Sequence, residues 1–249
     1  MTDHIQVTVD DGVLPAVINR PDKKNALTNE MYDALSEAAA RANEDSAIRV
    51  LLITGSGDSF TAGNDITVFQ HSGSGGGGTR AHAFIDRFVG MSKPVVPAVN
   101  GLAIGIGATI LLHCDIVYAA DTARLRFPFV DLGLVPENAS SLLLPRLAGY
   151  QRAAELMLTG RFFSAQEAHE LGLVSRVLPA DQLIEQAMAT ARDLAEKPVE
   201  ALAATRALLK GDLTEVLVRK DKEGAMFSDR LRSSEAQAIF AAFLAGNRR

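Results

Sequence analysis

The sequence predicts an α/β domain in which strands alternate with helices at first and helices dominate afterwards. Short apolar runs bounded by turn residues alternate with apolar residues at helical spacing through about the first 130 residues, and helical spacing dominates from about Ser140. No linker rich in proline, glycine or serine divides the two parts. The chain has 249 residues, of which 47% are hydrophobic, and this is enough for one substantial core.

The first elements are predicted from local patterns. Residues 5–20 predict two strands joined by a turn at Asp10-Asp11-Gly12. Residues 49–55, RVLLITG, predict a short buried strand that ends in glycine. Between them, apolar residues at helical spacing from Asn29 to about Ala42 predict an amphipathic helix whose buried stripe is Met31, Leu35, Ala38, Ala39 and Ala42.

The middle and the end of the chain follow the same logic. Residues 94–101, PVVPAVNG, predict the next strand, although Pro97 lacks the N–H group that a central strand uses. An apolar, helix-like run follows, and we expect strands at 114–121 and 124–127. From about Ser140 we expect helices, interrupted by one short strand at 173–177.

The composition argues against several classes of function. The net charge of -5 disfavours a nucleic-acid binder with a broad basic face, and no stretch reaches the roughly 18 apolar residues that would span a bilayer. The five histidines show no metal-ligand spacing, and His113, inside an apolar run, is interpreted as a core residue. A lone cysteine and an N-terminus without a leader pattern lead us to expect a cytoplasmic protein.

The segment FTAGNDI, residues 60–66, is the first candidate for a ligand contact. A small residue and a glycine after a strand let the backbone approach a ligand closely, so that its N–H groups become available. The alternative is a simple turn before a helix that Asp65 caps. The local sequence leaves both interpretations open.

Three glycines between a strand and an apolar run, Gly101, Gly105 and Gly107, form the second candidate. Backbone N–H groups at the start of a helix are unpaired and favour negative charge, so they suit a developing oxyanion. The rival is a nucleotide-binding fingerprint, because Gly105-Ile106-Gly107 begins like G-x-G-x-x-G. Ile110 stands at the position of the third glycine, which weakens that rival.

Glu137 is the third candidate, because it lies in the segment LGLVPENASS, residues 132–141, before an apolar stretch. The alternative is a solvated acid that the helix dipole favours at a helix start. If Glu137 is instead buried beside its apolar neighbours, we expect its pKa to be raised.

Five segments together resemble the crotonase (enoyl-CoA hydratase/isomerase) superfamily over nearly the whole chain. NRPDKKNALT (19–28) is similar to the family's first CoA-contact segment, and EAQAIFAAFL (235–244) is similar to its C-terminal helix near the CoA site. FTAGNDI (60–66) and VNGLAIGIGATILLHCDIVYA (99–119) are similar to its two oxyanion segments. GRFFSAQEAHELGLVSRV (160–177) is similar to its G-R-x-x-x-A-x-E-A-x-x-x-G-L-V segment.

The resemblance implies an α/β fold: a crotonase-like spiral of repeated ββα units, residues 1–195, followed by a helical C-terminal trimerisation region, residues 196–249. It implies a homotrimer or a dimer of trimers that acts on an acyl-CoA thioester. Coenzyme A then arrives as part of the substrate, and we expect no separate cofactor and no metal. We also expect no nucleic-acid partner and no membrane partner.

The resemblance also implies the site residues. The backbone N–H groups of Asn64 and Ile106 would form the oxyanion hole. The residues expected around the CoA moiety are Lys23, Lys24, Ala26, Leu27, Ala62, Gly63, Asp65 and Ile66. Lysines suit the neighbourhood of phosphates.

The departures from the family pattern indicate the reaction. Thr109 and Phe129 stand where hydratases of this family carry their two glutamates, and neither residue transfers a proton near neutral pH. Glu137 stands where the enoyl-CoA isomerase branch carries its catalytic acid. We therefore predict a 3-enoyl-CoA to 2-enoyl-CoA isomerase in which Glu137 shuttles the proton. A ring-CoA isomerase, an atypical hydratase and a non-catalytic CoA-ester-binding protein remain alternatives.

The acyl pocket is expected to involve Phe69, Thr109 and Phe129. Residues 72–78 are Ser-Gly-Ser-Gly-Gly-Gly-Gly, which is too glycine-rich to hold one conformation unaided. Two interpretations of residues 67–80 stay open: a lid or portal over the site, and a surface loop without a role in catalysis.

Overall fold

A computed structural model describes residues 3–67 and 78–245 of the chain and confirms the α/β class. The described strands are β1 Ile5–Val7, β2 Val13–Ile18, β3 Val50–Gly55, β4 Ser59–Thr61, β5 Val95–Val99, β6 Leu102–Ile104, β7 Tyr118–Ala120, β8 Arg124–Arg126, β9 Phe163–Ser164 and β10 Arg176–Leu178. The described helices are α1 Asn29–Glu44, α2 Gly78–Val89, α3 Ile106–Thr109, α4 Ser140–Ala148, α5 Tyr150–Thr159, α6 Ala165–Glu170, α7 Leu183–Glu196, α8 Val199–Lys210, α9 Thr214–Leu231 and α10 Ser234–Leu244.

The strands form two sheets that the chain visits in turn. The larger sheet has the order β1-β2-β3-β5-β7-β10, and the smaller has the order β4-β6-β8-β9. Strands β3, β5 and β7 enter the larger sheet, and the strand that follows each of them enters the smaller one. This alternation is the predicted spiral of ββα units. It places the ends of β4, β6 and β8 side by side, because these three strands are parallel neighbours.

The N-terminal predictions are confirmed. Strands β1 and β2 form an antiparallel pair, and the chain turns between them at Asp11 and Gly12 with positive φ. Helix α1 starts after Thr28, whose side chain accepts the Met31 N–H at 3.4 Å. All five residues of its predicted apolar stripe are buried.

Later elements depart from the sequence pattern. The apolar run after Gly105 is not one regular helix, because α3 has only four residues and a 3-10 turn, Ile110–His113, follows it. The pattern misses β4 and β6, which have three residues each and are too short to show periodicity. The late strand is Arg176–Leu178, so it starts three residues later than expected.

Pro97 lies inside β5, a central strand, contrary to the expectation that proline is awkward there. Strand β5 pairs with β3 through Pro97 itself, opposite Ile53, whereas its pairing with β7 begins only at Ala98. In a parallel ladder, successive N–H groups point to opposite neighbours. The missing N–H is tolerated because one side of β5 is not yet paired at this position.

The C-terminal part is helical, as predicted, and α9 packs against α4. Within residues 3–67 and 78–245, no helix combines the length and the apolar content that crossing a bilayer requires.

A buried asparagine joins the segment after β2 to the connection between β3 and β4. The Asn25 Nδ2 group donates to the carbonyl oxygens of Ser56 at 2.9 Å and of Ser59 at 2.6 Å. Its Oδ1 atom accepts the Arg20 N–H at 2.8 Å. Asn25 has a φ of 58°, in the left-handed region that asparagine tolerates better than most residues. This side chain therefore supports a turn of unusual backbone geometry.

We expect Asn25→Ala to lower the free energy of unfolding by about 2–4 kcal/mol, because it leaves buried polar groups unpaired and places alanine at a positive φ. Urea denaturation measures this loss. Asn43→Ala is the matched control, since within residues 3–67 and 78–245 the Asn43 side chain bonds only Ser92, at an exposed position. A loss of similar size in the two variants would contradict the role assigned to Asn25.

Candidate active site

A cavity of about 240 Å³ opens at the carboxyl ends of β4, β6 and β8. Its walls are mostly apolar, and helices α9 and α10 close it through Phe227 and Phe243. The other lining residues are Ala62, Gly63, Asn64, Ile66, Ile104, Gly105, Ile106, Arg126, Pro128, Phe129, Leu132, Leu134 and Glu137. A mostly apolar cavity with a few polar groups is the usual form of a small-molecule site.

The strand register brings the two predicted oxyanion residues together. Strands β4 and β6 are parallel neighbours in which Thr61 pairs with Ala103. Asn64 follows Thr61 by three residues, and Ile106 follows Ala103 by three residues, so both leave the sheet at the same edge. Both residues line the cavity.

The backbone at both positions is suited to bind an anion. In the described part of the chain, neither the Asn64 N–H nor the Ile106 N–H donates to a protein acceptor. Ile106 is the first residue of α3, where N–H groups are unpaired and the helix dipole favours negative charge. Gly63 precedes Asn64 with a φ of 88°, and a Cβ atom there would meet the Ile104 carbonyl oxygen at 2.8 Å. Glycine is therefore required for this close approach.

The predicted CoA segments run side by side. The Ala62 N–H donates to the Lys24 carbonyl at 2.9 Å, and the Leu27 N–H donates to the Gly63 carbonyl at 2.8 Å. The Asp65 N–H donates to the Leu27 carbonyl at 2.9 Å. These bonds hold the segment with Lys24, Ala26 and Leu27 against the first oxyanion segment.

Charged residues at this junction have different surroundings. Arg20 forms a largely buried ion pair with Asp65 at 2.7 Å, and this pair holds the pKa of Asp65 below its ordinary value despite the opposing effect of burial. Lys23 is exposed. Lys24 is also exposed, and its Nζ atom lies 2.6 Å from an Asp58 carboxylate oxygen. The sequence pattern did not single out the Arg20–Asp65 pair.

Glu137 is buried, with 7% of its surface exposed, so it is not the solvated acid of the alternative interpretation. It lies three residues before α4 and lines the cavity. Its Oε1 atom has no hydrogen-bond partner in the described part of the chain. Burial, with a smaller contribution from the charge of Glu223, raises the pKa of Glu137 to about 8.

A strained turn presents Glu137 to the cavity. The next two residues, Asn138 and Ala139, have φ values of 62° and 55°. Asparagine tolerates this left-handed region, but it is costly for alanine. Two contacts stabilise the turn: Ser140 Oγ donates to the Glu137 carbonyl at 2.6 Å, and His113 Nε2 lies 2.8 Å from the Asn138 carbonyl oxygen. Burial lowers the pKa of His113 to about 4, so the ring is neutral and Nε2 carries the donated proton. The prediction that His113 is a satisfied core residue is confirmed.

A buried phenol that the sequence pattern did not single out contacts the first oxyanion segment. The Tyr32 hydroxyl, on α1, donates to Asn64 Oδ1 at 2.5 Å. Burial raises the pKa of Tyr32 well above its ordinary value, and the charge of Glu137 acts in the same direction. Tyr32 therefore stays a hydrogen-bond donor. In the sequence it is one of several apolar-looking residues of an amphipathic stripe, so no local signal separates it from the core.

The expected acyl-pocket residues have three different outcomes. Phe129 lines the cavity and contacts Phe227 edge-to-face, with ring centroids 6.5 Å apart. Thr109 does not line it: the residue is fully buried, and its hydroxyl lies 3.5 Å from the Ile106 carbonyl oxygen. The expected place of Thr109 in the acyl pocket stays a prediction. Phe69 and the run at 72–77 lie outside the described residues.

Among the residues that the structure describes, no cluster of three or more His, Cys, Asp or Glu side chains could hold a metal ion. The cavity lining combines the buried Glu137 carboxyl group with the N–H groups of Asn64 and Ile106, which are unpaired in the described part of the chain.

Comparisons with known proteins agree with this geometry. Residues 8–245 match a family model described as enoyl-CoA hydratase/isomerase. The chain is 35% identical to 1,2-epoxyphenylacetyl-CoA isomerase of Escherichia coli, over 87% of this chain and 86% of that protein. It is 39% identical to enoyl-CoA delta isomerase 2 of Rattus norvegicus, over 65% of this chain but only 42% of that longer protein. An enoyl-CoA hydratase/isomerase structure from Pseudoalteromonas atlantica matches with a TM-score of 0.93 and 41% identity, covering 99% of this chain and 98% of that one.

The buried Glu137 carboxyl should cost stability in a defined pH window. Its pKa of about 8 in the folded protein lies above the ordinary value of 4.5, so the folded state holds a proton that the unfolded state has lost between these pH values. Stability therefore falls as pH rises through this window. We expect Glu137→Gln to match the wild type near pH 4.5 and to exceed it by about 2–4 kcal/mol at pH 8.

Urea unfolding at a series of pH values measures this difference. Glu185→Gln, at an exposed position on α7, is the control and should show no such growth with pH. A stability difference for Glu137→Gln that stays constant between pH 4.5 and 8 would show that the carboxyl titrates normally.

Proposed function

The chain belongs to the enoyl-CoA hydratase/isomerase family, and from this membership we propose that it moves the double bond of a 3-enoyl-CoA thioester to the 2-position. One observation carries the proposal. Glu137 is the single carboxylate among the described residues that line the cavity, and it shares that cavity with the unpaired N–H groups of Asn64 and Ile106. Moving a double bond needs one group that both removes and returns a proton, whereas the hydratases of this family use two glutamates to add water.

In the first step, the Glu137 carboxylate removes a proton from C2 of the acyl chain. The electrons move toward the thioester carbonyl, and the dienolate places negative charge on its oxygen. The N–H groups of Asn64 and Ile106 donate to that oxygen. Donors that are already oriented stabilise developing charge strongly, and removal of one such donor typically costs about 10²–10³ in rate.

In the second step, protonated Glu137 returns the proton at C4, and the double bond then lies between C2 and C3. The apolar walls keep water away from the dienolate, and Phe129 occupies the place of a hydratase carboxylate with an aromatic ring. A pKa of about 8 suits both steps, because a base whose pKa is close to the working pH both accepts and releases a proton.

The CoA moiety is proposed to lie along the paired segments at the cavity entrance. The exposed lysines Lys23 and Lys24 supply positive charge for its phosphates. The backbone around Gly63 allows the thioester to approach closely, because this position lacks a Cβ atom. The remaining proposed contacts are Ala26, Leu27, Ala62, Asp65 and Ile66.

A ring-CoA isomerisation is the second candidate. The relative from Escherichia coli is named 1,2-epoxyphenylacetyl-CoA isomerase, and its match covers most of both chains. The retained Glu137 favours the linear substrate, because ring-isomerising relatives more often place an aspartate at this position.

We expect the wild type to convert trans-3-hexenoyl-CoA to the conjugated thioester and Glu137→Gln to lose at least about 10³-fold in kcat, because the proton carrier is removed. Ultraviolet absorbance of the conjugated enoyl thioester measures the rate. Binding of a saturated acyl-CoA, measured by calorimetry, should survive the substitution, since glutamine is close to glutamate in size.

Glu185→Gln is the control and should keep full activity, because this carboxylate is exposed on α7. Crotonyl-CoA tests hydration and 1,2-epoxyphenylacetyl-CoA tests the ring reaction. Faster turnover of either compound than of the linear 3-enoyl thioester would replace the proposal. Binding of acyl-CoA without turnover of any of the three would indicate a non-catalytic CoA-ester-binding protein.

We also propose that the chain forms a homotrimer or a dimer of trimers. Leu208 and Leu209 at the end of α8 are 84% and 83% exposed, and Val218 on α9 is exposed as well. Such apolar exposure is expected at a surface that a neighbouring subunit covers.

Light scattering coupled to size-exclusion chromatography should give the mass of three or six chains. Replacement of Leu208 and Leu209 together by aspartate should lower this mass if that surface is buried between subunits. A wild-type mass of one chain would contradict the assembly.

A further inference from the structure

Helix α9 carries a second buried carboxyl group, and neither the sequence motifs nor the proposed reaction accounts for it. Glu223 is only 5% exposed, although glutamate is rarely buried without a partner. It precedes Phe227 by one helical turn, so both side chains lie on one face of α9. Phe227 lines the cavity, which means that this face of α9 points toward the candidate site.

Glu223 is bonded to the turn that presents Glu137. Its Oε1 atom accepts the Ser141 N–H at 2.9 Å. Burial, the largest effect, raises the pKa of Glu223 above its ordinary value, and the N–H groups of Ser141 and Ala139 oppose this by favouring the charged form. These N–H groups lie at the start of α4, where helices leave backbone donors unpaired. Ala139 is the residue of this turn for which the positive φ is costly. A carboxylate from a distant helix therefore supports a strained segment that begins one residue after Glu137.

The two carboxyl groups are also electrostatic neighbours. Burial is the main cause of the raised pKa of Glu137, and the charge of Glu223 is the second cause. Each side chain has one oxygen atom, Glu137 Oε1 and Glu223 Oε2, without a hydrogen-bond partner in the described part of the chain. Tyr32 on α1 also interacts electrostatically with Glu137. Arg126 on β8 lines the same cavity, but its guanidinium is bonded to the Gly160 carbonyl oxygen and to Asp131.

Other charged groups around Glu223 are already engaged. Arg219, one turn earlier on α9, donates to Ser141 Oγ at 3.0 Å and favours the charged form of Glu223. Lys220 pairs with Asp86 of α2 and with Asp221. From α2, His82 packs against the backbone of Gly224. Arg219 is thus the one cation among these that the structure connects to the same turn as Glu223.

We propose that Glu223 is a positioning residue for the proton transfer by Glu137: it fastens the turn that aims the Glu137 carboxyl and sets a second negative charge beside it. The proposal rests on the proposed function, because it assigns Glu223 a task in the reaction of Glu137. The two tasks are separable by chemistry. Glutamine at position 223 keeps an oxygen acceptor for the Ser141 N–H but removes the charge, whereas alanine removes both.

We expect Glu223→Gln to move the titration of Glu137 to lower pH by about one unit, because a like charge is removed from its surroundings. In the wild type, kcat/KM should rise with pH to a midpoint at about 8. The midpoint in Glu223→Gln should lie about one unit lower. Glu223→Ala should also lower kcat by about 10- to 100-fold with little change in KM, because the turn is no longer held.

The titration is measured independently of turnover by carbon-13 NMR of protein labelled at the glutamate side-chain carboxyl carbon. The Glu137 signal is assigned by its loss in Glu137→Gln. Glu215→Gln is the matched control: it lies on the same helix and links α9 to α4 through Arg146, but it is exposed. Its substitution should leave both the Glu137 titration and the midpoint of kcat/KM unchanged.

The outcomes separate the two proposals. A lower pKa of Glu137 in Glu223→Gln but not in Glu215→Gln supports the electrostatic task of Glu223. This holds even if the wild type does not isomerise 3-enoyl-CoA and the proposed function is rejected. If the pKa of Glu137 in Glu223→Gln equals that in the wild type, the electrostatic task of Glu223 is overturned. Equal kcat in Glu223→Ala and wild type overturns the positioning task, and recovery of kcat in Glu223→Gln relative to Glu223→Ala supports it.

Discussion

The parallel pairing of β4 with β6 is the constraint on which the rest of the candidate site depends. In this register Thr61 lies opposite Ala103, and the chain leaves both strands at the same edge of the smaller sheet. A slip of one residue would turn the side chains of a strand to the opposite face, so the register is specified by what each face must bury. The unpaired N–H groups of Asn64 and Ile106 are brought together by the sheet and not by any contact between their own side chains.

The surrounding contacts keep this edge in place. The Asn25 side chain bonds the chain at the start of β4 and just before it. The backbone of the neighbouring residues bonds the residues that follow β4. Tyr32 holds the Asn64 side chain from the opposite direction. The first donor segment is thus fixed by the strand before it, by the turn beside it and by α1. Such support matters because a donor that must reorient during a reaction stabilises developing charge less well.

Burying an ionisable carboxyl group lowers folding stability, and Glu137 is such a group. Burial and a second buried acid raise the pKa of Glu137 above its ordinary value, and the turn after it holds Ala139 in an unfavourable conformation. His113, Ser140 and Glu223 each form a hydrogen bond with this turn or with the start of the helix that follows it. Strain of this kind persists only where neighbouring structure determines the geometry, and it is typical of functional sites. The C-terminal helices therefore do more than cover the core, because α9 supplies both a cavity wall and a contact to this turn.

The sequence by itself determined the α/β class, the buried stripe of α1 and the segments that meet at the cavity, because periodicity, glycine placement and motif order are local properties of the chain. It also singled out Glu137, and it predicted that Thr109 and Phe129 stand where hydratases of this family carry their two glutamates. Only the tertiary structure decided that Thr109 is fully buried, that Pro97 fits a central strand, and that Tyr32 and Glu223 contact the segments of the site. These outcomes depend on pairings between residues far apart in the chain, and a tyrosine or a glutamate on an amphipathic helix carries no local mark of what it will contact. The burial of Glu137 was likewise decided by the tertiary structure. The residues that line the cavity with it come from the ends of several strands and from the C-terminal helices α9 and α10.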